Sequence, residues 1–151
     1  MFHIALWEPE IPPNTGNVAR LCAATGAVLH LVGRLGFRTD DRSLKRAGLD
    51  YWDAVDVRFH TTFAEFETTV GSEHIWCVEM PAAMRYTQAA FSDGDCLVFG
   101  SESKGLPDTV RERYRDRTIG IPMPTGKVRS LNLATAAGII LYEALRQTND
   151  W

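Results

Sequence analysis

Short apolar runs alternate with helix-period segments along the whole chain, and few folds accept that alternation. FHIALW (2–7) reads as a first strand, and NVARLCAAT (17–25) as a helix closed by Gly26 as its C-cap. AVLHLVG (27–33) predicts a second strand, DRSLKRAG (41–48) a short helix, AVDVRF (54–59) a third strand and TTFAEFETTV (61–70) a helix. HIWCVEM (74–80) and DCLVFG (95–100) read as buried strands. PDTVRERYR (107–115) starts a helix with Pro107 near its first turn, and TIGIPM (118–123) is the last strand. NLATAAGIILYEALRQ (132–147) is the last helix, with Asn132 at its N-cap. The pattern predicts one α/β domain over 1–151, a largely parallel sheet flanked by helices. A length of 151 residues suits one domain, typical domains running to about 100–200.

Composition narrows the function classes. With 45% hydrophobic and 23% charged residues, and no run approaching about 18 apolar residues, the chain reads as a soluble globule without a membrane span. Met1 opens directly into a strand pattern, so a cytoplasmic protein without a leader is expected. Cys22, Cys77 and Cys96 are odd in number, far apart and without C-x-x-C spacing, which predicts reduced core thiols. His3, His30, His60 and His74 show no metal-like pairing and read as structural, so no metal is expected. A net charge of −3 does not advertise a nucleic-acid binder, yet the bases cluster. Arg111, Arg113, Arg115 and Arg117 alternate with acids and read as a solvated face. Arg34, Arg38, Arg42, Lys45 and Arg46 have little acidic company and better suit phosphate.

The last helix carries a stripe of Leu133, Ala136, Ala137, Ile140, Leu141, Ala144 and Leu145 that can cover a sheet. Ala134, Gly138, Ile139 and Tyr142 lie outside it and are also small, apolar or aromatic, which predicts a homodimer through this helix. Phosphate-loop readings fail. GSESKGLP (100–107) has Leu106 and Pro107 where Lys and Ser or Thr are required, and TGKVRS (125–130) lacks the leading glycine. No G-x-S-x-G or G-x-G-x-x-G stands after a strand. Three polar or glycine-rich loops do each follow a strand: 8–17, 100–107 and 122–131. In parallel α/β sheets ligands gather at such carboxyl-end loops.

NTGNVAR (14–20), LVFGSESKGLP (97–107) and IPMPTGKVRSLNLATAAGIILYEALRQ (121–147) resemble the three motifs of the SPOUT class of RNA methyltransferases, TrmH-like branch. EPEIPPNTGN (8–17), RLCAATG (20–26) and RAGLDYW (46–52) look like its tRNA wobble-position 2′-O-methyltransferases. The likeness is dense over about 4–53 and 95–147 and thin between. Ser101 and Ser103 stand where it often has Pro and Thr.

The resemblance implies a parallel α/β fold whose C-terminal segment is threaded into a deep trefoil knot, a homodimer, and S-adenosylmethionine as methyl donor, leaving S-adenosylhomocysteine. It carries Val78, Gly100, Gly105, Ile121, Met123, Ser130 and Leu131 to cofactor-binding positions. Glycines there would let backbone approach the ligand. The adenine pocket it implies needs no acidic anchor. Asn14, Arg20, Glu102, Ser130 and Asn132 fall at catalytic positions. Arg20, Lys45, Arg46, Arg129 and Tyr142 fall at positions for the tRNA substrate. Prolines and Gly16 of the first loop would hold Asn14 and Arg20 together toward the ribose.

The chemistry leaves roles open. A ribose hydroxyl is a poor nucleophile at neutral pH, so the site must polarise its proton and fix alignment. Arg20 is either the activating base or a clamp on the neighbouring phosphate. Glu102 either positions its loop or accepts a hydrogen bond near the cofactor. Tyr142 suits RNA or the dimer contact. Another tRNA or rRNA position, and a cofactor- and RNA-binding module without turnover, stand as alternative functions.

Overall fold

Every strand pairing is parallel, and the strand order shows where the chain changes direction. The computed structural model describes residues 1–40, 42 and 49–151. The strands are β1 (His3–Trp7), β2 (Val28–Val32), β3 (Val57–His60), β4 (Ile75–Val78), β5 (Met84–Arg85), β6 (Cys96–Phe99) and β7 (Thr118–Gly120). They form one seven-stranded sheet in the order β3-β2-β1-β6-β4-β7-β5. The chain builds outward from β1 through β2 to β3, then crosses to the other side. The order therefore reverses beside β1, where it meets β6 with His3 opposite Cys96 and Leu6 opposite Phe99. That is where a doubly wound sheet opens a crevice.

Alternation along the strands supplies two cores. Ile4, Leu6, Leu29, Leu31, Leu97 and Phe99 face α1 (Pro12–Thr25) and α4 (Leu133–Asn149). Ala5, Val32, Ile75, Cys77, Cys96 and Val98 face the opposite layer, α2 (Phe63–Val70) and α3 (Asp108–Arg113), through Phe66, Val110 and Tyr114. Nearly all these side chains are fully buried. At about 25 cal/mol per Å² of apolar surface removed from water, this double burial is the main stabilisation of the fold. Among the described residues no helix is long and apolar enough to cross a membrane.

Local signals explain most boundaries. Gly26 closes α1 in the left-handed conformation at φ 77°. Thr62 Oγ1 accepts from Glu65 N at 3.1 Å to start α2. Asn132 Oδ1 accepts from Ala134 N at 2.9 Å and Thr135 N at 3.3 Å, so it is the N-cap of α4. Some boundaries differ from expectation. The first helix begins at Pro12, not near Asn17, because proline at a helix's first positions lacks only an N–H that has no partner there. Residues 49–54 form a 3-10 turn, so the third strand starts at Val57. The predicted helix over 41–48 falls largely outside the described residues.

The cysteines are free and buried, and burial raises the Cys22 and Cys77 thiols to about 12. Arg117 departs from a solvated face: its guanidinium lies 3.9 Å from the Trp76 ring centroid and donates to the Ile75 carbonyl at 2.8 Å. Three of the histidines pair with one another. His3 Nδ1 lies 2.9 Å from His30 Nε2, and His30 Nδ1 lies 2.9 Å from His60 Nε2. This chain of rings runs diagonally across β1, β2 and β3 beneath Phe66.

Candidate active site

Three loops leave the carboxyl ends of β1, β6 and β7, and their residues surround one cavity of about 530 Å³. Ile11 and Asn14 come from the first loop and the start of α1. Gly100 to Gly105 come from the second, and Ile121, Met123 and residues 129–133 from the third. Val78 and Glu79, at the end of β4, complete one wall.

Glu102 ties the first two loops together. Its carboxylate accepts from Glu10 N at 3.1 Å, Ile11 N at 2.7 Å and Asn14 Nδ2 at 3.3 Å. Ile11 is the residue before α1 and has no side-chain cap of its own. A carboxylate at the positive end of a helix is favoured by the macrodipole. The reciprocal contact runs the other way: Ser103 donates from N at 3.0 Å and from Oγ at 2.6 Å to Glu10 Oε1. Those bonds hold the Glu10 carboxyl below its ordinary range. Asn14, buried, accepts on Oδ1 from Asn132 Nδ2 at 3.0 Å. Glu102, Asn14 and Asn132 thus join the second loop, α1 and α4 in one hydrogen-bonded line.

The glycines meet a steric demand. A Cβ on Gly100 would lie 2.3 Å from the Gly105 carbonyl carbon and 2.4 Å from Leu106 N, both backbone atoms. Gly105 has φ 69°, and Gly105 N donates to the Ser101 carbonyl at 2.9 Å. The loop is therefore folded tightly on itself, with main chain turned toward the cavity.

Every residue expected at a cofactor-binding position lines this cavity: Val78, Gly100, Gly105, Ile121, Met123, Ser130 and Leu131. So do Asn14, Glu102, Asn132 and Arg129. Apolar walls from Val78, Ile121, Met123 and Leu131 beside a polar rim and close backbone fit a nucleoside with a charged tail.

Arg20 is placed elsewhere. It is exposed in a groove with Asn17, Leu21 and Thr135, and Asn132 borders both that groove and the cavity. The reason is helical geometry: because α1 starts at Pro12, six positions turn Arg20 by about 240° from Asn14. The two do not project together. Arg20 lies over the Tyr51 ring, 5.2 Å from its centroid. Tyr142 is exposed and lines neither space, ten residues or about 15 Å along α4 from Asn132. Lys45 and Arg46 lie outside the described residues. Sequence reasoning missed Glu79 and Tyr51. Glu79 was read inside a strand that ends one residue earlier.

A parallel sheet, a crevice at its point of reversal and a nucleoside-sized cavity walled by three glycine-rich or polar loops define a ligand-binding α/β enzyme. The chain belongs to the SpoU rRNA Methylase family, which it matches over residues 1–142. It is 43% identical over 148 residues to the tRNA (cytidine(34)-2′-O)-methyltransferase of Methylovorus glucosotrophus (strain SIP3-4), covering 97% of this chain and 96% of that one. A solved structure described as giving insights into 2-OH methylation of C/U34 on tRNA superposes with TM-score 0.89 at 48% identity, over 97% of this chain and 95% of that chain. The SpoU methyltransferase AviRb from Streptomyces viridochromogenes, solved in complex with AdoMet, superposes with TM-score 0.85 at 26% identity, over 96% of this chain and 57% of that chain.

Proposed function

We propose that this chain transfers a methyl group from S-adenosylmethionine to the ribose 2′-hydroxyl of nucleotide 34 of tRNA, the position named for its relatives. The observation that carries the reading is the convergence of Asn14, Glu102, Ser130 and Asn132 on the apolar-walled cavity. When bound, the cofactor supplies an electrophilic sulfonium methyl. Val78, Ile121, Met123 and Leu131 would hold its adenine, and main chain around Gly100 and Gly105 would approach it without Cβ interference.

The chain's own groups then orient the acceptor. Glu102 accepts from the Glu10 and Ile11 N–H groups of the first loop and from the Asn14 amide of α1, so its role is to fix that loop. Arg20, one groove away, suits a grip on the phosphate beside the target ribose. Its planar guanidinium, laid over the Tyr51 ring, offers a fork of donors and no acceptor, which supports a clamp over a base. From that position the guanidinium would stabilise negative charge developing on the ribose oxygen as its proton passes to water. Arg129 at the cavity rim, with Lys45 and Arg46, would add phosphate contact.

The same reading includes a C-terminal segment threaded into a deep trefoil knot, a homodimer through α4, and action in the cytoplasm as a single domain. The exposed Tyr142, 6.2 Å from Trp151 by ring centroids, and the open space around Gly138 support a second copy on that face. Calorimetry with S-adenosylmethionine and S-adenosylhomocysteine tests the proposal's foundation. Micromolar binding of either is expected; failure to bind both would reject it.

A further inference from the structure

Glu79 is an acidic side chain at the cavity wall that neither the sequence motifs nor the proposed reaction uses. It stands directly after Val78, the last residue of β4, and so at the carboxyl end of a central strand. One carboxylate oxygen, Oε2, accepts from Leu106 N at 3.3 Å. The other, Oε1, lies against Gly105, 2.5 Å from where a Cβ would stand there. Among the described residues it has no ion-pair partner and Oε1 receives no hydrogen bond. A half-buried carboxylate with an open oxygen in a ligand cavity is free to accept from a ligand donor. Partial burial raises its pKa, with Leu106 N–H and Arg111 opposing.

We propose that Glu79 binds the ribose of the nucleoside held in this cavity, its carboxylate accepting from the ribose hydroxyls. The inference rests on the cavity being the S-adenosylmethionine site. Three facts favour the ribose over other donors. Glu79 directly follows Val78 of the apolar wall, suited to a base, and its carboxylate lies against Gly105 of the loop that carries Glu102 on the polar rim, suited to a charged tail. The sugar is the part of a nucleoside that lies between those ends. Its hydroxyls are neutral donors, and an acceptor at a strand's carboxyl end is a physically established way to hold them. The tight Gly100–Gly105 turn also fixes the carboxylate, because Leu106 N anchors one oxygen and leaves the other to the ligand.

The test is a calorimetric cycle on the whole chain, using S-adenosylhomocysteine and its 2′-deoxy and 3′-deoxy forms against wild type and Glu79→Ala. At least one deoxy form should bind wild type about tenfold more weakly than the parent ligand, as loss of a hydrogen bond to a charged group implies. Glu79→Ala should weaken the parent by a similar factor and no longer distinguish it from that deoxy form. If Glu79 only braces the loop through Leu106 N, all ligands weaken alike in the variant and the wild-type preference for hydroxyls survives. That result overturns the proposal, as does parent binding unchanged by the substitution. Glu79→Gln, which keeps an acceptor and the shape, guards against misfolding. It should retain part of the hydroxyl preference, and complete retention of wild-type affinity and preference in both variants would also refute the role. Wild type failing to bind S-adenosylhomocysteine would instead reject the proposed function itself.

Discussion

Asn132 Nδ2 donates to Asn14 Oδ1 at 3.0 Å, joining the first and last helices across 118 positions of sequence. Asn132 also caps α4 with its Oδ1, so one amide does two jobs through two different atoms. Substitutions can separate them. Asn132→Asp keeps an acceptor for the cap but has nothing to donate. Asn14 can then satisfy either residue 132 or Glu102 by turning its amide, not both. Asn132→Asp should melt close to wild type, while methyl transfer falls about tenfold or more. Asn132→Ala should in addition lose about 0.5–2 kcal/mol of stability. Thermal melts beside initial rates read both effects.

Two glycines predict opposite outcomes. Gly100→Ala would place a carbon 2.3 Å from main chain, so the loop must open. Cofactor affinity should fall by at least about tenfold with the sheet's far-ultraviolet signal intact. Gly138 has nothing within 4 Å of a would-be Cβ. An alanine there raises the intrinsic helix preference of α4 by up to about 1 kcal/mol. On the proposed dimer face it also adds bulk, so sedimentation should show Gly138→Ala shifted toward monomer. An unchanged dimer would place the contact elsewhere on the surface.

The ring chain His3–His30–His60 links stability to pH. Each hydrogen bond between rings needs one donor and one acceptor, so a neutral His30 makes the chain directional. Burial is the largest cause lowering all three groups, with His30 carried to about 3. A histidine depressed below its unfolded value of 6.5 favours the neutral folded form. The unfolded chain then binds more protons below 6.5, and stability falls as pH drops from there toward 3. Denaturant titrations between pH 7 and 4 should show a loss on the order of 1–3 kcal/mol from this group. The loss should flatten in His30→Leu, itself less stable at neutral pH.

Arg20 is a clamp in this account, and its planar fork matters. Arg20→Lys retains charge but not bidentate phosphate geometry, and should lose about 100-fold in kcat/KM. Tyr51→Phe keeps the ring beneath the guanidinium and should stay near wild type, whereas Tyr51→Leu should lose about 2–5-fold. Retained activity in Arg20→Lys would remove the fork from the mechanism.

Strands, helices and caps were legible because they are local. β4 and β6 are continuous apolar runs, β1 and β2 are apolar but for one histidine each, and Gly26 and Asn132 mark helix ends by chemistry that acts within a turn. The start of α1 was misplaced because Pro12 can break a helix or begin one, and only its neighbours in space decide. The two-residue β5 carries no periodicity to read. Glu102 meets Ile11 and Asn14 across about ninety positions, so its tie to the first loop follows from β1 lying beside β6. Tyr51 under Arg20 and the histidine chain are likewise products of packing and register. Motif position gathered the cavity residues; helical phase then separated Arg20 from Asn14.

Nucleotide-resolved mapping of bulk tRNA after incubation with the purified chain and labelled S-adenosylmethionine tests the central claim most directly. The account predicts one new ribose 2′-O-methyl group at nucleotide 34, formed more slowly by Arg20→Lys and Asn132→Asp at the same concentration. Methylation confined to another nucleotide, or none despite measurable cofactor binding, would contradict it.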